Sequence, residues 1–266
     1  MRIFDSHAHY DDDRFDENRH EVLCEVMRNG VEKICNIGAS LKTSKASVEL
    51  SQKYDNIYAS VGVHPSDAVR DMQNENWLLE IESMYVNNPK TVAIGEIGLD
   101  YYWTPEEKEE QKTAFRAQMN LAKKLGAPVV IHDREAHGDV LEIMREYPEV
   151  IGVVHSFSGS MEMAKEVLKM GYYISVNGVT TFKNARKIVE IVENLPDLHP
   201  DAMSRLLVET DCPYLTPVPH RSETNRSDYI KFTAEKCAEL LGISSEEFCE
   251  ITYNNAMRFY KISSLV

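Results

Sequence analysis

Cysteine is scarce, and its pattern excludes two kinds of site. The five cysteines are an odd number, lie far apart and include no C-x-x-C pair. This argues against a disulfide framework and against a cysteine-ligated zinc site, so we expect free thiols in a reducing compartment. Long apolar runs are also missing: none approaches the roughly 20 residues that cross a bilayer. Met1 is followed at once by a predicted strand, with nothing that resembles a signal peptide. We therefore expect a soluble, cytoplasmic monomer with no membrane partner.

Positive charge is in deficit. The chain has 29 lysines and arginines against 43 aspartates and glutamates, a formal net charge of −14. Because nonspecific affinity for nucleic acid comes from neutralised phosphates, this balance disfavours wrapping a long nucleic acid. A local positive site stays possible, and bound metal ions would create one.

The 266 residues suit a single (β/α)8 barrel, and 43% hydrophobic with 27% charged residues is typical of a soluble globular protein. Short β-branched runs alternate with helical segments, as in repeated βα units. The predicted strands are Arg2–Asp5, Val31–Ile37, Ile57–Val63, Thr91–Gly95, Pro128–Ile131, Ile151–Val154, Tyr172–Val176 and Leu206–Glu209. The predicted helices are Glu17–Arg28, Pro105–Leu125, Glu135–Tyr147, Ser160–Met170, Ala185–Leu195, Asp228–Leu241 and Ser245–Tyr260. No linker interrupts the series, which predicts one domain over residues 1–266.

A doubly wound open sheet fits this alternation almost as well. The count of eight strands and the positions of the polar residues favour the α/β class with a (β/α)8 (TIM) barrel.

The segment Asp5-Ser6-His7-Ala8-His9 ends the first predicted strand. Residues two apart on a strand face the same side, so His7 and His9 can reach one ion together. Alone, two such histidines are more often surface or core residues. Other strand ends add Glu96, His132, His155 and Asp211, each after an apolar run. Because the carboxyl ends of barrel strands meet on one face, the six side chains predict a metal site there.

Imidazole and carboxylate together suit Zn, Mn, Fe or Co better than calcium, and we expect two divalent ions, with Mg also among the metals considered. Glu96 is the expected bridge between the ions. His7, His9 and Asp211 would complete one ion, and His132 and His155 the other. A water between the ions would become the hydroxide nucleophile. Asp211 would take and return a proton, so Asp211 and Glu96 are the predicted catalytic residues.

The summed charge of such a site is positive, which favours a phosphoryl substrate. His64, after strand three, and Arg134, two residues past His132, are predicted to bind it. Arg221 and Arg226 are as consistent with solvated surface charge as with phosphate binding. Among the aromatic residues after strands, Phe157 and Phe182 are interpreted as packing residues. Tyr101, Tyr102 and Trp103 leave packing and base stacking both open.

The sequence resembles the TatD family of metal-dependent hydrolases, within the amidohydrolase-like barrels. The matching stretches are D5-S-H-A-H9, G62-V-H-P65, G95-E-I-G-L-D100, I131-H-D-R-E-A-H137, H155-S-F-S-G159 and E209-T-D-C-P-Y-L215. The resemblance covers nearly the whole chain and implies a (β/α)8 barrel with the same six metal ligands. It also implies a nuclease, acting 3′ to 5′ on DNA or RNA ends, and for some relatives deacylation of mischarged tRNA.

Two details refine the resemblance. Many related barrels use a carboxylated lysine on strand four, but Val92–Leu99 contains no lysine, which favours the Glu96 bridge. After strand eight the family often has Arg-Asn-x-Pro, whereas this chain has R221-S-E-T-N-R-S-D228 without proline. Substrate contacts from that loop therefore do not transfer.

Three functions compete. The first is a phosphodiesterase on nucleic-acid ends or small phosphoesters. The second is an acyl or ester hydrolase, such as an aminoacyl-tRNA deacylase, on the same site. The third, a non-catalytic binding module, predicts the loss of a ligand, and all six are present.

Overall fold

The computed structural model describes residues 1–263. Its strands are β1 (Ile3–Ala8), β2 (Val31–Ile37), β3 (Ile57–Val61), β4 (Thr91–Asp100), β5 (Val129–Arg134), β6 (Gly152–Val154), β7 (Tyr173–Val176) and β8 (Leu206–Val208). They form one sheet in the order β1 to β8, and a parallel bridge joins Ala8 at the end of β1 to Cys212 beyond β8. The predicted (β/α)8 barrel is thereby confirmed. A doubly wound sheet, whose strand order reverses at a switch point, is the wrong alternative.

Helices follow the strands. They are α1 (Arg19–Arg28), α2 (Leu41–Lys53), α3 (Ala68–Asp71), α4 (Trp77–Val86), α5 (Lys108–Leu125), α6 (His137–Glu146), α7 (Met161–Lys169), α8 (Arg186–Glu193), α9 (Leu195–Leu198), α10 (Ile230–Leu241) and α11 (Ser245–Phe259). The sequence pattern predicted neither α2 nor α4. None of the helices within residues 1–263 is both long and apolar enough to cross a membrane.

Several predicted boundaries are wrong: three strands continue past their predicted carboxyl ends, whereas β3, β6, β7 and β8 are shorter than predicted. β1, β4 and β5 extend past their predicted ends, so His7, Glu96 and His132 lie inside strands rather than after them. α5 begins at Lys108 instead of Pro105. The side chain of Gln111 donates to the carbonyl and hydroxyl oxygens of Thr104 at 2.9 and 2.7 Å, which holds the segment before Lys108 in a turn.

By its internal contacts the chain forms two compact units. The first unit contains residues 1–36, 156–169 and 173 onward. In it β1 pairs with β2, β7 pairs with β8, and the ring of Phe4 stacks on Tyr260 at 5.7 Å. The Tyr260 hydroxyl donates to the backbone oxygen of Ser6 at 2.6 Å, which anchors the carboxyl end of β1 to the C-terminal helix region.

The second unit contains residues 37–155 and 170–172, with β3 to β6 and α2 to α6. All ten residues of β4 are buried, and β4 pairs with β5 in a register that sets Gly98 beside His132. Gly98 has φ of +143°, and a Cβ there would lie 2.0 Å from the backbone oxygen of His132. Only glycine permits this close approach, which fixes His132 relative to β4.

Candidate metal centre

Three potential ligands converge in the first unit: His7 in β1, His9 directly after it, and Asp211 beyond β8. The Nε2 atoms of His7 and His9 are 3.1 Å apart. Asp211 Oδ1 lies 3.6 Å from His7 Nε2 and 3.3 Å from His9 Nε2. The His7 side chain is 1% exposed, whereas those of His9 and Asp211 are 14% and 16% exposed. This first cluster therefore has one buried end and one open end.

A buried carboxylate, Asp5, holds the first cluster in place. It accepts from the backbone nitrogens of His7 and Thr210 at 3.3 and 3.0 Å. It also accepts from the hydroxyls of Thr210 and Ser227 at 2.5 and 2.6 Å. Burial raises the pKa of Asp5 to about 7, although these hydrogen bonds oppose the shift. Asp5 thereby joins the end of β1 to the segment before Asp211.

The second unit carries a cluster of Glu96 in β4, His132 in β5 and His155 directly after β6. Glu96 Oε1 lies 2.8 Å from both His132 Nδ1 and His155 Nε2. The two imidazole nitrogens are 3.4 Å apart. Glu96 and His155 are buried, and His132 is partly exposed. One carboxylate oxygen and two ring nitrogens therefore point at one position in this second cluster.

Asp100, at the end of β4, contacts the other edge of the His132 ring. Its Oδ2 lies 3.0 Å from His132 Nε2. Burial alone would lower the pKa of His132, but the hydrogen bonds to Asp100 and Glu96 outweigh burial and raise it. A carboxylate on one imidazole nitrogen places the proton there and leaves the other nitrogen to ligate a metal. This contact favours Nδ1 of His132 as the atom that would ligate a metal.

His64 lies beside the second cluster and has the properties of a hydrogen-bond donor. Its ring is 4.3 Å from that of His132, and its Nε2 is 3.8 Å from Glu96 Oε1. Burial and the neighbouring His132 lower the pKa of His64 to about 3, so the ring is neutral. Nδ1 accepts from the backbone nitrogen of Ser66 at 3.1 Å. The single ring proton is therefore on Nε2, which makes His64 a hydrogen-bond donor toward this cluster.

Arg134, which is predicted to bind phosphate, and the two loop arginines, for which this role is open, differ in their surroundings. Arg134 ends β5, is exposed, and lies with its guanidinium 4.5 Å from the ring centre of Tyr102. Arg226 forms ion pairs with Asp228 and Glu25 at 2.7 and 3.1 Å. Arg221 stacks on Phe182 at 3.8 Å and donates to the carbonyl of Thr216. Both loop arginines therefore contact side chains outside their loop, in α1 and at Phe182, whereas Arg134 is exposed beside Tyr102.

Both clusters fit divalent metal ions by donor type and spacing. Tetrahedral ligands with metal bonds of about 2.0–2.1 Å lie about 3.3–3.4 Å from one another. Donor separations are 3.1–3.6 Å in the first cluster and 2.8–3.4 Å in the second. Nitrogen and carboxylate donors in groups of three suit zinc, manganese, iron or cobalt and leave positions open for water or substrate.

Sequence reasoning assigned no role to Asp5 or Asp100, although both lie in the quoted motifs. Their strand register was the available signal. Asp5 precedes His7 by two positions and Asp100 follows Glu96 by four, so each carboxylate shares a strand face with a ligand. What the sequence alone does not supply is the partner atom of each carboxylate, which comes from a different strand or loop.

Known proteins resemble the chain over its whole length. The sequence model of the family described as TatD related DNase matches residues 4–261. An uncharacterized metal-dependent hydrolase of Bacillus subtilis, YabD, is 42% identical over 98% of this chain and 100% of its own. YcfH of Escherichia coli K12, described in the same words, is 34% identical over 99% and 97%. The crystal structure of the TatD homologue YjjV from Escherichia coli K12 superposes with a TM-score of 0.89 at 26% identity, covering 98% of this chain and 99% of that one. The chain therefore belongs to the TatD-related DNase family of metal-dependent hydrolases.

Proposed function

We propose that the protein is a hydrolase that works with two divalent metal ions. The proposed ligands are His7, His9, Glu96, His132, His155 and Asp211. The observation that carries the proposal is the presence of two separate sets of three donors, each spaced as the ligands of one ion. In a (β/α)8 barrel the carboxyl ends of the strands face one side, which supports joint action of the two sets.

Glu96 and Asp211 have different proposed roles in the reaction. Two divalent ions, when bound, supply Lewis acidity and lower the pKa of a coordinated water toward neutrality. Glu96 is the proposed shared ligand, because one of its oxygens lies against both imidazoles of the second cluster and a carboxylate has a second oxygen that can ligate another ion. Asp211 is the proposed proton acceptor for the attacking water and donor to the leaving group, because it is the carboxylate of its cluster that reaches solvent.

A phosphodiester fits the groups around the second cluster. His64 presents an Nε2–H that can donate to a phosphoryl oxygen without adding a full charge. Arg134 adds a guanidinium, which binds phosphate oxygens in a planar pair of hydrogen bonds. Together with the family's description as DNases, these donors support a nuclease. The resemblance to the TatD family extends the proposal to exonuclease action from the 3′ end of DNA or RNA strands.

The test is direct cleavage of a 5′-labelled single-stranded oligonucleotide with Mn²⁺ or Mg²⁺. We expect a ladder of products shortened from the 3′ end, lost in Asp211→Ala and retained in Asp197→Ala, a matched change of an exposed carboxylate in α9. No shortening by the wild-type protein, or equal shortening by Asp211→Ala, overturns the nuclease proposal. Turnover of aminoacyl-tRNA or simple esters without strand shortening would instead favour the acyl-hydrolase alternative.

A further inference from the structure

Two large aromatic side chains stand exposed on the loop after β4. The side chain of Trp103 is 67% exposed and that of Tyr102 is 48% exposed. Their rings meet edge to face, with centroids 4.9 Å apart and an interplanar angle of 89°. Large aromatic side chains are usually buried, and a contiguous exposed apolar patch is a feature of binding surfaces.

A cation lies beside these rings. Arg134 stacks its guanidinium over Tyr102 at 4.5 Å, and Lys108 lies 4.3 Å over the neighbouring ring of Tyr101. The Tyr101 hydroxyl donates to Asp139 at 2.6 Å, so this residue is anchored and partly buried. Exposed rings next to cations are the combination that binds single-stranded nucleic acid, since bases stack and phosphates pair.

The loop is tied to the second cluster by one carboxylate. Asp100 Oδ1 accepts from the backbone nitrogens of Tyr102 and Trp103 at 2.9 and 2.8 Å. Asp100 Oδ2 contacts His132 Nε2 at 3.0 Å. Buried Gln111 donates to the backbone oxygens of Asp100 and Thr104 at 3.0 and 2.9 Å. These bonds hold the loop and the ligand His132 at a fixed separation before any substrate arrives.

We propose that Tyr102, Trp103 and Arg134 form an aromatic platform that binds an unpaired nucleobase at the end of a single-stranded nucleic acid. The base stacks on the face of Trp103, whose ring Tyr102 supports edge to face, and Arg134, which lies over Tyr102, pairs with the adjoining phosphate. This inference rests on the proposed nuclease function, because it assigns the substrate of the same site as a single strand with stackable bases. Every base has a flat face, so the platform selects unpaired strands without selecting sequence.

Tryptophan fluorescence tests the contact itself. The chain has two tryptophans, and Trp77 is only 8% exposed, so Trp77→Phe leaves Trp103 as the sole emitter. The probes are a ten-residue phosphorothioate oligothymidylate and an abasic strand of equal length and charge, each added with Mn²⁺. We expect saturable quenching by the oligothymidylate and none by the abasic strand. Equal responses to the two strands, or no response to either, overturn the platform.

Kinetics test its use in the reaction. Trp103→Ala should raise KM for oligothymidylate about 5- to 100-fold, the value of one base–aromatic stack, with little change for the abasic strand. Tyr102→Ala should raise KM as well, because it removes the ring that supports Trp103 and Arg134. Trp103→Phe should recover most of the loss. Tyr58→Ala is the matched control, since Tyr58 also lies beneath a cation, Lys90 at 5.5 Å, but outside this loop.

The failures of the two proposals are distinguishable. If the wild-type protein shortens the oligonucleotide and the Trp103→Ala KM equals that of Tyr58→Ala, the platform is wrong and the nuclease function stands. If the wild-type protein shortens no strand, the nuclease function is wrong, and the fluorescence titration alone decides whether Trp103 binds bases.

Discussion

The two oxygens of Asp100 have different partners, and the difference has a chemical consequence. One oxygen accepts backbone hydrogen bonds from the platform loop, and the other faces Nε2 of His132. A carboxylate can only accept, so Asp100 holds a proton on Nε2, and Nδ1, 2.8 Å from Glu96 Oε1, is the nitrogen that would give up its proton to ligate a metal. We therefore expect Asp100 to set which nitrogen of His132 ligates the metal.

Replacing Asp100 with asparagine should weaken metal binding without unfolding the protein. The amide oxygen can still accept from the loop, but the NH₂ group donates to Nε2 and moves the ring proton to Nδ1. We expect metal affinity to fall about 10- to 100-fold, measured by competition with a chelator.

The control for this change is Asp139→Asn. Asp139 accepts from Tyr101 at 2.6 Å and pairs with Lys112 at 2.8 Å, but contacts none of the candidate ligands among its described partners. Unchanged affinity in Asp100→Asn, or an equal loss in both variants, would contradict the positioning role.

At the scale of elements, the pairing of β4 with β5 determines where Glu96 and His132 lie. The register places Gly98 opposite His132, in a conformation with positive φ and no room for a side chain. The ligand arrangement therefore depends on a backbone contact as well as on the ligand side chains.

Gly98→Ala should destabilise the protein by about 2–5 kcal/mol, because the added Cβ meets the backbone oxygen of His132 and φ is unfavourable for an L-residue. For a chain of this size we expect Tm to fall by about 5–15 °C in thermal unfolding followed by circular dichroism.

Gly138→Ala provides the comparison. Gly138 lies in α6, and a Cβ there meets nothing within 4 Å, so we expect Tm to stay level or rise slightly. Equal Tm values for Gly98→Ala and Gly138→Ala would show that the close approach at Gly98 does not contribute to the free energy of unfolding.

The sequence was sufficient for the barrel and its eight strands, since apolar β-branched runs separated by helical segments leave few alternatives. It failed for α2 because the buried face of that helix is formed by Ser44, Ser47 and Ser51 with a single leucine. Those serines can be buried because their hydroxyls donate to nearby backbone oxygens, as Ser44 does to Gly62 at 3.0 Å. The helix therefore lacks the periodic apolar residues by which a buried helix face is predicted from sequence.

The candidate ligands could be proposed from the sequence because of where they stand along the chain. Histidines and carboxylates are conspicuous after apolar strands, and a barrel brings strand ends to one face. The strand lengths were not predictable, because β4 and β5 continue through polar residues whose backbone pairing, Leu99 with Asp133 and Asp100 with Arg134, has no signal in composition. The aromatic platform was left open because exposure is decided by tertiary packing.

At the scale of the whole molecule, the net charge of the chain is negative, whereas the proposed site would be positive once metal ions are bound. The formal net charge of −14 repels polyanions at long range. Neutral His64, exposed Arg134 and metal ions at the clusters would act only on a strand end already close by. This charge distribution is consistent with the proposed action on strand ends, and it differs from the basic grooves of proteins that track along nucleic acid.

Metal binding at the proposed site should also change the thermal stability of the whole protein. Ions that bind only the folded state stabilise it by mass action, about 2.7 kcal/mol at a hundredfold excess over Kd, which corresponds to a Tm rise of about 5–10 °C. We expect this rise with Mn²⁺ or Zn²⁺ after treatment with EDTA, and a smaller rise in Glu96→Ala and His132→Ala, which leave the first cluster intact. Both variants should keep the wild-type circular dichroism spectrum and show lower metal content by atomic emission, because the barrel core consists of other, apolar side chains. An undiminished metal-dependent rise in both variants would remove these residues from the ligand set, and a collapsed spectrum would make them part of the folding core instead.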